Sequence, residues 1–379
     1  MRIINANIWQ AGKGFVRGGV TFQKQIHSIE PFDANADAGA LDAQGMYLIP
    51  GLVDVHVHGA LGGDFSDADT EANDRIERRL VRNGVTSHLA TTMTMPVDVL
   101  AQEAKLLNYT QDDPERSTCL GLHLEGPFLS YEKRGAQYAE YLQKPDYDKF
   151  CRINDASGGR VRLITVAPET EGAMEFIAQV SRETNVSLGH TTTDYETAMR
   201  AFSAGANHVT HLFNAMQPFL HRAPGLIGAA MDAGAYVELI GDGLHVHPAV
   251  IRAAFRMFPA RLVLISDAVR SSGMPDGQYT LGGQDVILKN GKTTLPDGTL
   301  AGSNITVYEA IVNAVRFGIS LEEAVEAVTL LPAISAGVDD AVGSIEPGKR
   351  ADMLLLDREL HLVKIYHFGQ EIEPEKKNV

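Results

Sequence analysis

Several short apolar segments of this sequence end in histidine or carboxylate side chains. His56 and His58 close the first segment, and because they lie two residues apart on a predicted strand, both imidazoles point to one face. Glu125 closes the third, where a buried carboxylate is costly unless a cation pairs with it. His190 and His211 close two later segments. Imidazole and carboxylate groups are ligands of zinc and iron, so these five residues predict a divalent metal site. Taken alone, His56 and His58 could instead be a hydrogen-bonded pair that holds no ion.

Asp267 closes the last apolar segment and is the candidate general base. Beside a divalent ion, an aspartate can take a proton from an attacking water molecule and return it to the leaving group, which indicates hydrolysis. A helix cap at this aspartate is the alternative. The segment 161–167 does not end in lysine, so no carbamylated lysine is predicted there, and Glu125 is the candidate bridge between two ions. His245 is interpreted as a substrate contact.

The apolar segments are the elements that must position these side chains. They are continuously apolar and alternate with amphipathic stretches, a pattern typical of strands buried on both faces. Eight strands are predicted, at 47–57, 85–91, 120–124, 161–167, 186–189, 208–213, 236–240 and 262–265. Eight strand–helix units over roughly 250 residues predict a (β/α)8 TIM-like barrel, an α/β fold whose active sites lie at the carboxyl ends of the strands. A doubly wound parallel sheet is the alternative.

Both ends of the chain are rich in short strand-like pieces separated by turns. Residues 1–49 and 340–379 are predicted to pair into a small β-sandwich domain built from both termini. Residues 50–339 then form the barrel domain, which carries the catalytic residues. Within it, the stretch 271–302 is rich in glycine, aspartate and proline and is predicted to be an insertion with short strands.

Composition excludes several classes of partner. The 379 residues carry a formal charge of −15 and no basic stripe, so a nucleic-acid partner is not predicted. No apolar run approaches the roughly 20 residues that span a bilayer, so no membrane partner is predicted. The first residues lack the pattern of a secretion signal, and only two cysteines occur, Cys119 and Cys151. These features predict a reduced, cytoplasmic setting.

A set of longer motifs occurs in order with the spacing of barrel strands: PGLVDVHVHG, GLHLEGPF, SLGHT, VTHLFNAM, DGLHVHP, SDA and LAGS. Together they resemble the N-acetylglucosamine-6-phosphate deacetylases of the amidohydrolase superfamily. The resemblance covers about residues 47–350, and GSIEPGKRADMLLLD is similar to the family's returning β-domain segment. It implies removal of acetate from the amide of a small phosphorylated amino sugar, giving glucosamine 6-phosphate.

The resemblance also implies a role for each matching residue. Glu125, His190 and His211 would hold the ion that is always present in the family. His56 and His58 would share Glu125 with a second ion that only some members bind. One or two ions are therefore expected, zinc first and iron as the alternative.

Asp267 corresponds to the family's catalytic acid and base. Substrate contacts are implied for a larger set: Ala136, Gln137, Asn214, Ala215, Arg222, His245, Leu300, Ala301 and Gly302. In the family, the arginine that corresponds to Arg222 reaches across a dimer interface, so a homodimer is expected. In a chain of net charge −15, the guanidinium group of this arginine suits binding of a phosphate.

Gln137 is the one clear departure from the family pattern. The family usually has a histidine there, twelve residues after the metal glutamate, and glutamine cannot become a cation. Either a second ion takes over polarisation of the carbonyl, or the substrate differs, with the epimer N-acetylgalactosamine 6-phosphate as an alternative. Two further alternatives are an amidohydrolase acting on a different amide and a non-catalytic homologue that serves as a scaffold.

Overall fold

The computed structural model describes residues 1–33, 39–107 and 112–375. Along the chain the strands are β1 (Arg2–Gln10), β2 (Gly14–Phe22), β3 (Ile26–Pro31), β4 (Leu41–Asp42), β5 (Tyr47–Pro50), β6 (Leu52–Val57), β7 (Gly59–Ala60), β8 (Gly63–Asp64), β9 (Val85–Thr92), β10 (Thr118–Glu125), β11 (Val161–Val166), β12 (Asn185–Leu188), β13 (His208–Val209), β14 (Tyr236–Ile240), β15 (Leu262–Ile265), β16 (Gly277–Leu281), β17 (Gln284–Lys289), β18 (Lys292–Thr294), β19 (Met353–Leu356), β20 (Leu362–His367) and β21 (Gln370–Ile372).

The helices alternate with the central strands. They are α1 (Thr70–Arg82), α2 (Val97–Leu106), α3 (Tyr147–Ala156), α4 (Ala173–Val180), α5 (Tyr195–Ala204), α6 (Gly225–Ala233), α7 (Pro248–Met257), α8 (Val307–Arg316), α9 (Leu321–Val328) and α10 (Leu330–Ser335), with 3-10 turns at Phe65–Asp67 and Ala139–Tyr141. Local sequence explains their starts. In α8, for example, the Thr306 hydroxyl caps the Glu309 N–H while the Glu309 carboxylate accepts from the Thr306 N–H. Over the described ranges, no helix combines the length and apolar character needed to cross a bilayer.

A parallel barrel forms the centre of the molecule. In the described part of the chain, β6 and β9 to β15 form an eight-stranded sheet in which each strand pairs with the next along the sequence. This consecutive order confirms the (β/α)8 barrel and excludes the doubly wound sheet, whose order reverses at a switch point. Apolar side chains fill both faces of the strands, as their continuously apolar sequences predict.

The barrel closes between its last and first strands through side-chain and backbone contacts rather than a regular ladder. The carboxylate of Asp54 on β6 accepts hydrogen bonds from the backbone N–H and the hydroxyl of Ser266, at 3.4 and 2.5 Å. Val57 and Ala268 form an isolated parallel bridge. Complete burial raises the pKa of Asp54 to about 7 despite these hydrogen bonds. This closure places the histidine-bearing end of β6 beside the loop that follows β15.

Strands from both chain ends form a second sheet, in the order β21-β20-β19-β5-β1-β2-β3 with β4 beside β1. All of these strands belong to one hydrogen-bonded sheet, and Ile8, Phe22 and Tyr366 lie in its buried core. A sheet domain built from both termini is thus confirmed, while its packing as a sandwich and the boundaries at 49/50 and 339/340 stay predictions. The predicted single strand 47–57 is wrong, because it divides at Gly51 into β5 of this sheet and β6 of the barrel.

The predicted insertion forms a small antiparallel sheet of β16, β17 and β18. Leu281 and Val286 from this sheet pack against Met93 and Val269 from the barrel loops. The Gln284 side chain donates a 2.6 Å hydrogen bond to the carbonyl of residue 136. These contacts hold the insertion against the loops that follow the barrel strands.

Candidate active site

A cavity of about 560 Å³ opens where the barrel strands end at their carboxyl termini. Side chains from five different strand ends line it, namely His58, Glu125, His190, His211 and Asp267. Each of these residues is the last of its strand or follows it by one or two positions. This is the end of a (β/α)8 barrel where active sites are built.

Glu125, His190 and His211 converge on one point in the cavity floor. Oε1 of Glu125 lies 3.1 Å from Nε2 of His190 and 2.9 Å from Nε2 of His211, and the two Nε2 atoms are 3.0 Å apart. His190 Nδ1 donates to the carbonyl of Lys133 at 2.8 Å, and its other ring nitrogen, Nε2, faces Glu125. Burial favours the neutral acid, but the surrounding imidazoles hold the pKa of Glu125 well below its ordinary value.

A second cluster shares Glu125 and lies at the end of β6. The Nε2 atoms of His56 and His58 are 3.2 Å apart, and they lie 3.4 Å from Oε1 and 3.3 Å from Oε2 of Glu125 respectively. Oδ1 of Asp267 is 3.5 Å from Nε2 of His56 and 3.4 Å from Nε2 of His58. Glu125 therefore faces both histidine pairs: Oε1 lies near His190, His211 and His56, and Oε2 lies near His58.

The spacing of these donor atoms fits divalent ions. Ligand atoms around a tetrahedral zinc ion, with bonds of about 2.0–2.1 Å, lie roughly 3.3 Å apart. The distances within both clusters, 2.9 to 3.4 Å, match that spacing. Lone pairs that face one another at this distance repel unless a cation or proton lies between them. The residues at both clusters therefore suit a divalent metal, with nitrogen and oxygen ligands.

Asp267 provides a carboxylate at the edge of the second cluster. Burial raises the pKa of this side chain, but His56 and His58 outweigh that effect and lower it below the ordinary value. Its backbone has a positive φ of 49°, as do those of His190 and His211 at 47° and 30°. Non-glycine residues rarely adopt this conformation, and it turns these side chains from the strand ends toward the cavity.

A model of the amidohydrolase family matches residues 47–375 of this chain. The chain belongs to the amidohydrolase family. Among curated relatives, N-acetylgalactosamine-6-phosphate deacetylase of Escherichia coli O157:H7 is 36% identical over 91% of this chain and 92% of its own. N-acetylglucosamine-6-phosphate deacetylase of Vibrio furnissii is 35% identical over 91% and 88%.

Solved structures agree with these relatives. N-acetyl-D-glucosamine-6-phosphate deacetylase of Mycobacterium smegmatis, as a variant in complex with N-acetyl-D-glucosamine 6-phosphate, superposes with a TM-score of 0.91, 32% identity and 98% coverage of both chains. The Pasteurella multocida enzyme superposes with a TM-score of 0.90, 30% identity, and coverage of 98% of this chain and 99% of its own. The family resemblance drawn from the motifs is confirmed, and a divalent metal follows from the family together with the histidine–glutamate clusters.

Gln137 of this amidohydrolase is buried and makes two strong hydrogen bonds. Its Nε2 donates to Oε2 of Glu125 at 2.6 Å, and its Oε1 accepts from the Thr94 backbone N–H at 2.7 Å. The side chain lines the cavity, but its amide is directed to the candidate metal ligand. Gln137 thus holds Glu125 through a direct hydrogen bond.

The remaining predicted substrate residues divide into two groups. Most of them line the cavity: Ala136, Asn214, Ala215, His245, Leu300 and Gly302. His245 Nδ1 lies 2.6 Å from Oδ2 of Asp242, which raises the pKa of His245 although burial lowers it. Ala301 is fully buried and packs against Val269 in the cluster under the insertion. Arg222 is exposed and lines a different cavity, next to Thr193 and Tyr195.

Glu238 lies near the candidate ligands and was not predicted from the sequence. It lies in the middle of β14, and its Oε2 is 2.7 Å from Nδ1 of His56. Burial raises its pKa, but His56 and the neighbouring imidazoles outweigh this and lower it to about 2. A charged residue inside the apolar segment YVELI was the signal that could have identified it.

Proposed function

We propose that this amidohydrolase removes the acetyl group from N-acetylglucosamine 6-phosphate, producing glucosamine 6-phosphate and acetate. The observation that carries the proposal is the convergence of Glu125, His190 and His211 beside Asp267 in the barrel-mouth cavity. Relatives that match more than 90% of the chain bear names of 6-phosphate deacetylases. The retained ligands argue against a non-catalytic scaffold.

Glu125, His190 and His211 would hold one divalent ion, with zinc proposed first and iron second. When bound, that ion supplies Lewis-acid polarisation of the acetyl carbonyl. His56 and His58 would hold a second ion together with Glu125. Metal binding requires neutral imidazoles and an ionised glutamate, so an ion bound at these clusters displaces any proton held there.

Asp267 would act as the general base and then as the general acid. As a carboxylate it accepts a proton from the water molecule that attacks the acetyl carbon. It then donates this proton to the sugar nitrogen while the C–N bond breaks, so acetate and the free amine leave. Its position 3.4 Å from His58 and its lowered pKa suit the base form that starts this sequence.

The phosphate requires cationic or hydrogen-bonding partners at the cavity rim. We propose His245, Asn214 and the backbone at residue 215 for this role, since all three line the cavity. Arg222 does not line the cavity of its own chain. We therefore propose a homodimer in which this arginine contacts the substrate phosphate in the cavity of the second copy. We also propose that the enzyme is cytoplasmic.

The experiment measures acetate release from three substrates: N-acetylglucosamine 6-phosphate, its galactosamine epimer and unphosphorylated N-acetylglucosamine. We expect the highest kcat/KM for the glucosamine phosphate and little release from the unphosphorylated sugar. The galactosamine epimer is the second candidate, since the Escherichia coli O157:H7 relative bears its name and Gln137 replaces the family histidine. Higher kcat/KM on the epimer would favour that candidate, and no release from any of them would refute deacetylation.

Replacing the proposed base tests the mechanism. Asp267→Asn keeps the shape of the side chain but cannot accept the proton, so we expect kcat to fall by roughly 100-fold or more with metal still bound. The matched control is Asp340→Asn, the same change at an exposed position. Near-normal turnover of Asp267→Asn would remove this residue from the proposed role.

A further inference from the structure

Glu238 is a carboxylate buried completely inside the barrel. Its neighbours on β14, Val237 and Leu239, are apolar and fully buried. A carboxylate in such a place costs several kcal/mol of desolvation unless it is paired and hydrogen-bonded. The side chain does not line the active-site cavity, so substrate contact does not account for it.

The contacts of Glu238 lead to one candidate ligand from each cluster. Its Oε2 lies 2.7 Å from Nδ1 of His56 and 3.1 Å from the backbone N–H of His211. A carboxylate only accepts hydrogen bonds, so Nδ1 of His56 carries the proton. In the neutral ring, which is the form that binds a metal, the lone pair is then on Nε2, and Nε2 faces Glu125 and His58.

We propose that Glu238 is a positioning residue that fixes the tautomer and orientation of His56 for the ion at the second cluster. Metal-binding histidines commonly donate their other ring nitrogen to a carboxylate, which orients the ring and raises its basicity. The same oxygen holds the N–H of His211, whose backbone has a φ of 30°. One carboxylate thus supports ligands of both clusters.

His123 explains why Glu238 acts on His56 instead of forming a separate ion site with it. His56, His123 and Glu238 have donor atoms close enough to share an ion. However, His123 Nδ1 lies 3.2 Å from the carbonyl of Val55, and its Nε2 lies 2.8 Å from the Thr165 hydroxyl. Both ring nitrogens of His123 are therefore used within the protein.

The test measures Zn²⁺ binding to the metal-free full chain by competition with a chromogenic chelator, together with zinc counted per chain by elemental analysis. The inference rests on the proposed metal dependence but not on the sugar, because no substrate enters the assay. The unmodified chain is expected to bind two Zn²⁺ ions. For Glu238→Gln we expect the Kd of the weaker ion to rise roughly 10- to 100-fold. The Kd of the tighter ion should change less.

Three variants separate positioning from a general structural effect. Glu238→Asp keeps an acceptor-only group and should recover part of the affinity for the weaker ion. In a His56→Asn background, Glu238→Gln should weaken Zn²⁺ binding no further, because the ring it orients is gone. The matched control is Glu103→Gln, since Glu103 is another fully buried carboxylate, hydrogen-bonded to Asn73 between α1 and α2. Its ion affinities should stay within twofold of those of the unmodified chain.

Several results would overturn the inference. One is binding of a single Zn²⁺ by the unmodified chain, and another is unchanged affinity for both ions in Glu238→Gln. Equal weakening by Glu238→Gln with and without His56 would also overturn it. Acetate release that fails while zinc binding behaves as expected would instead refute the proposed function alone.

Discussion

Replacing Gln137 by leucine removes both hydrogen bonds of this buried amide with little change in volume. In the folded chain, the amide joins the Thr94 backbone N–H to Oε2 of Glu125, at 2.7 and 2.6 Å. All three residues are at most 2% exposed. Gln137→Leu therefore leaves a buried N–H without its acceptor and a buried carboxylate without its closest donor.

The expected cost follows from these two losses. An unsatisfied buried donor costs about 1–3 kcal/mol, and a hydrogen bond to a charged group contributes about 1.5–3 kcal/mol. We expect Gln137→Leu to lower the free energy of unfolding by about 3–5 kcal/mol, which is large for a single substitution. The reason is that leucine offers neither group a partner.

The assay is equilibrium unfolding in urea, with a chelator present so that metal binding adds nothing to stability. The matched control is Gln143→Leu, on the same stretch between β10 and α3. Within the described residues, the Gln143 side chain has no hydrogen bond, and only its backbone N–H donates to Pro127. That variant should stay within about 0.5 kcal/mol of the unmodified chain. A loss below about 1 kcal/mol for Gln137→Leu would refute the reasoning, because Thr94 and Glu125 would then have found other partners.

Two further predictions concern pH and metal. Burial raises the pKa of Glu103 to about 8, so the folded chain holds the proton of this carboxyl group more tightly than the unfolded chain does. The free energy of unfolding should therefore fall as pH rises from about 4.5 to about 8. Glu103→Gln should therefore have the higher free energy of unfolding at pH 8–9, by a few kcal/mol at most, and this difference from the unmodified chain should shrink toward pH 5. The exposed-site control Glu373→Gln should unfold as the unmodified chain does at each pH. A difference for Glu103→Gln that stays constant with pH would contradict the pKa shift. Removing divalent ions with a chelator should abolish acetate release and lower Tm, and adding Zn²⁺ should restore both. Acetate release by protein shown to be free of metal would contradict the proposed site.

The positions of the candidate ligands were predictable because they depend on local sequence. Strands of a parallel barrel are buried on both faces, so each reads as an apolar segment, and the polar residue that ends it falls at the same end of the barrel. Glu125, His190 and His211 were found in this way, and they lie 2.9 to 3.1 Å apart. The division at Gly51 was not predictable from hydropathy, because the apolar pattern continues from one sheet into the next without interruption.

The side-chain partners around the ligands depend on the tertiary structure. Gln137 contacts Glu125 from the loop after β10, and Glu238 on β14 contacts His56 on β6, 182 positions away in the chain. Arg222 lines another cavity in its own chain, so its predicted contact with substrate across a dimer interface stays a prediction.

By itself, the amino-acid sequence determined the barrel, the end at which its chemistry lies and the residue types available there, because these follow from the burial and periodicity of single strands. Only the tertiary structure decided which oxygen of Glu125 faces which imidazole and which buried groups orient them. Those contacts join residues from different strands, and their distances are set by how the whole barrel closes.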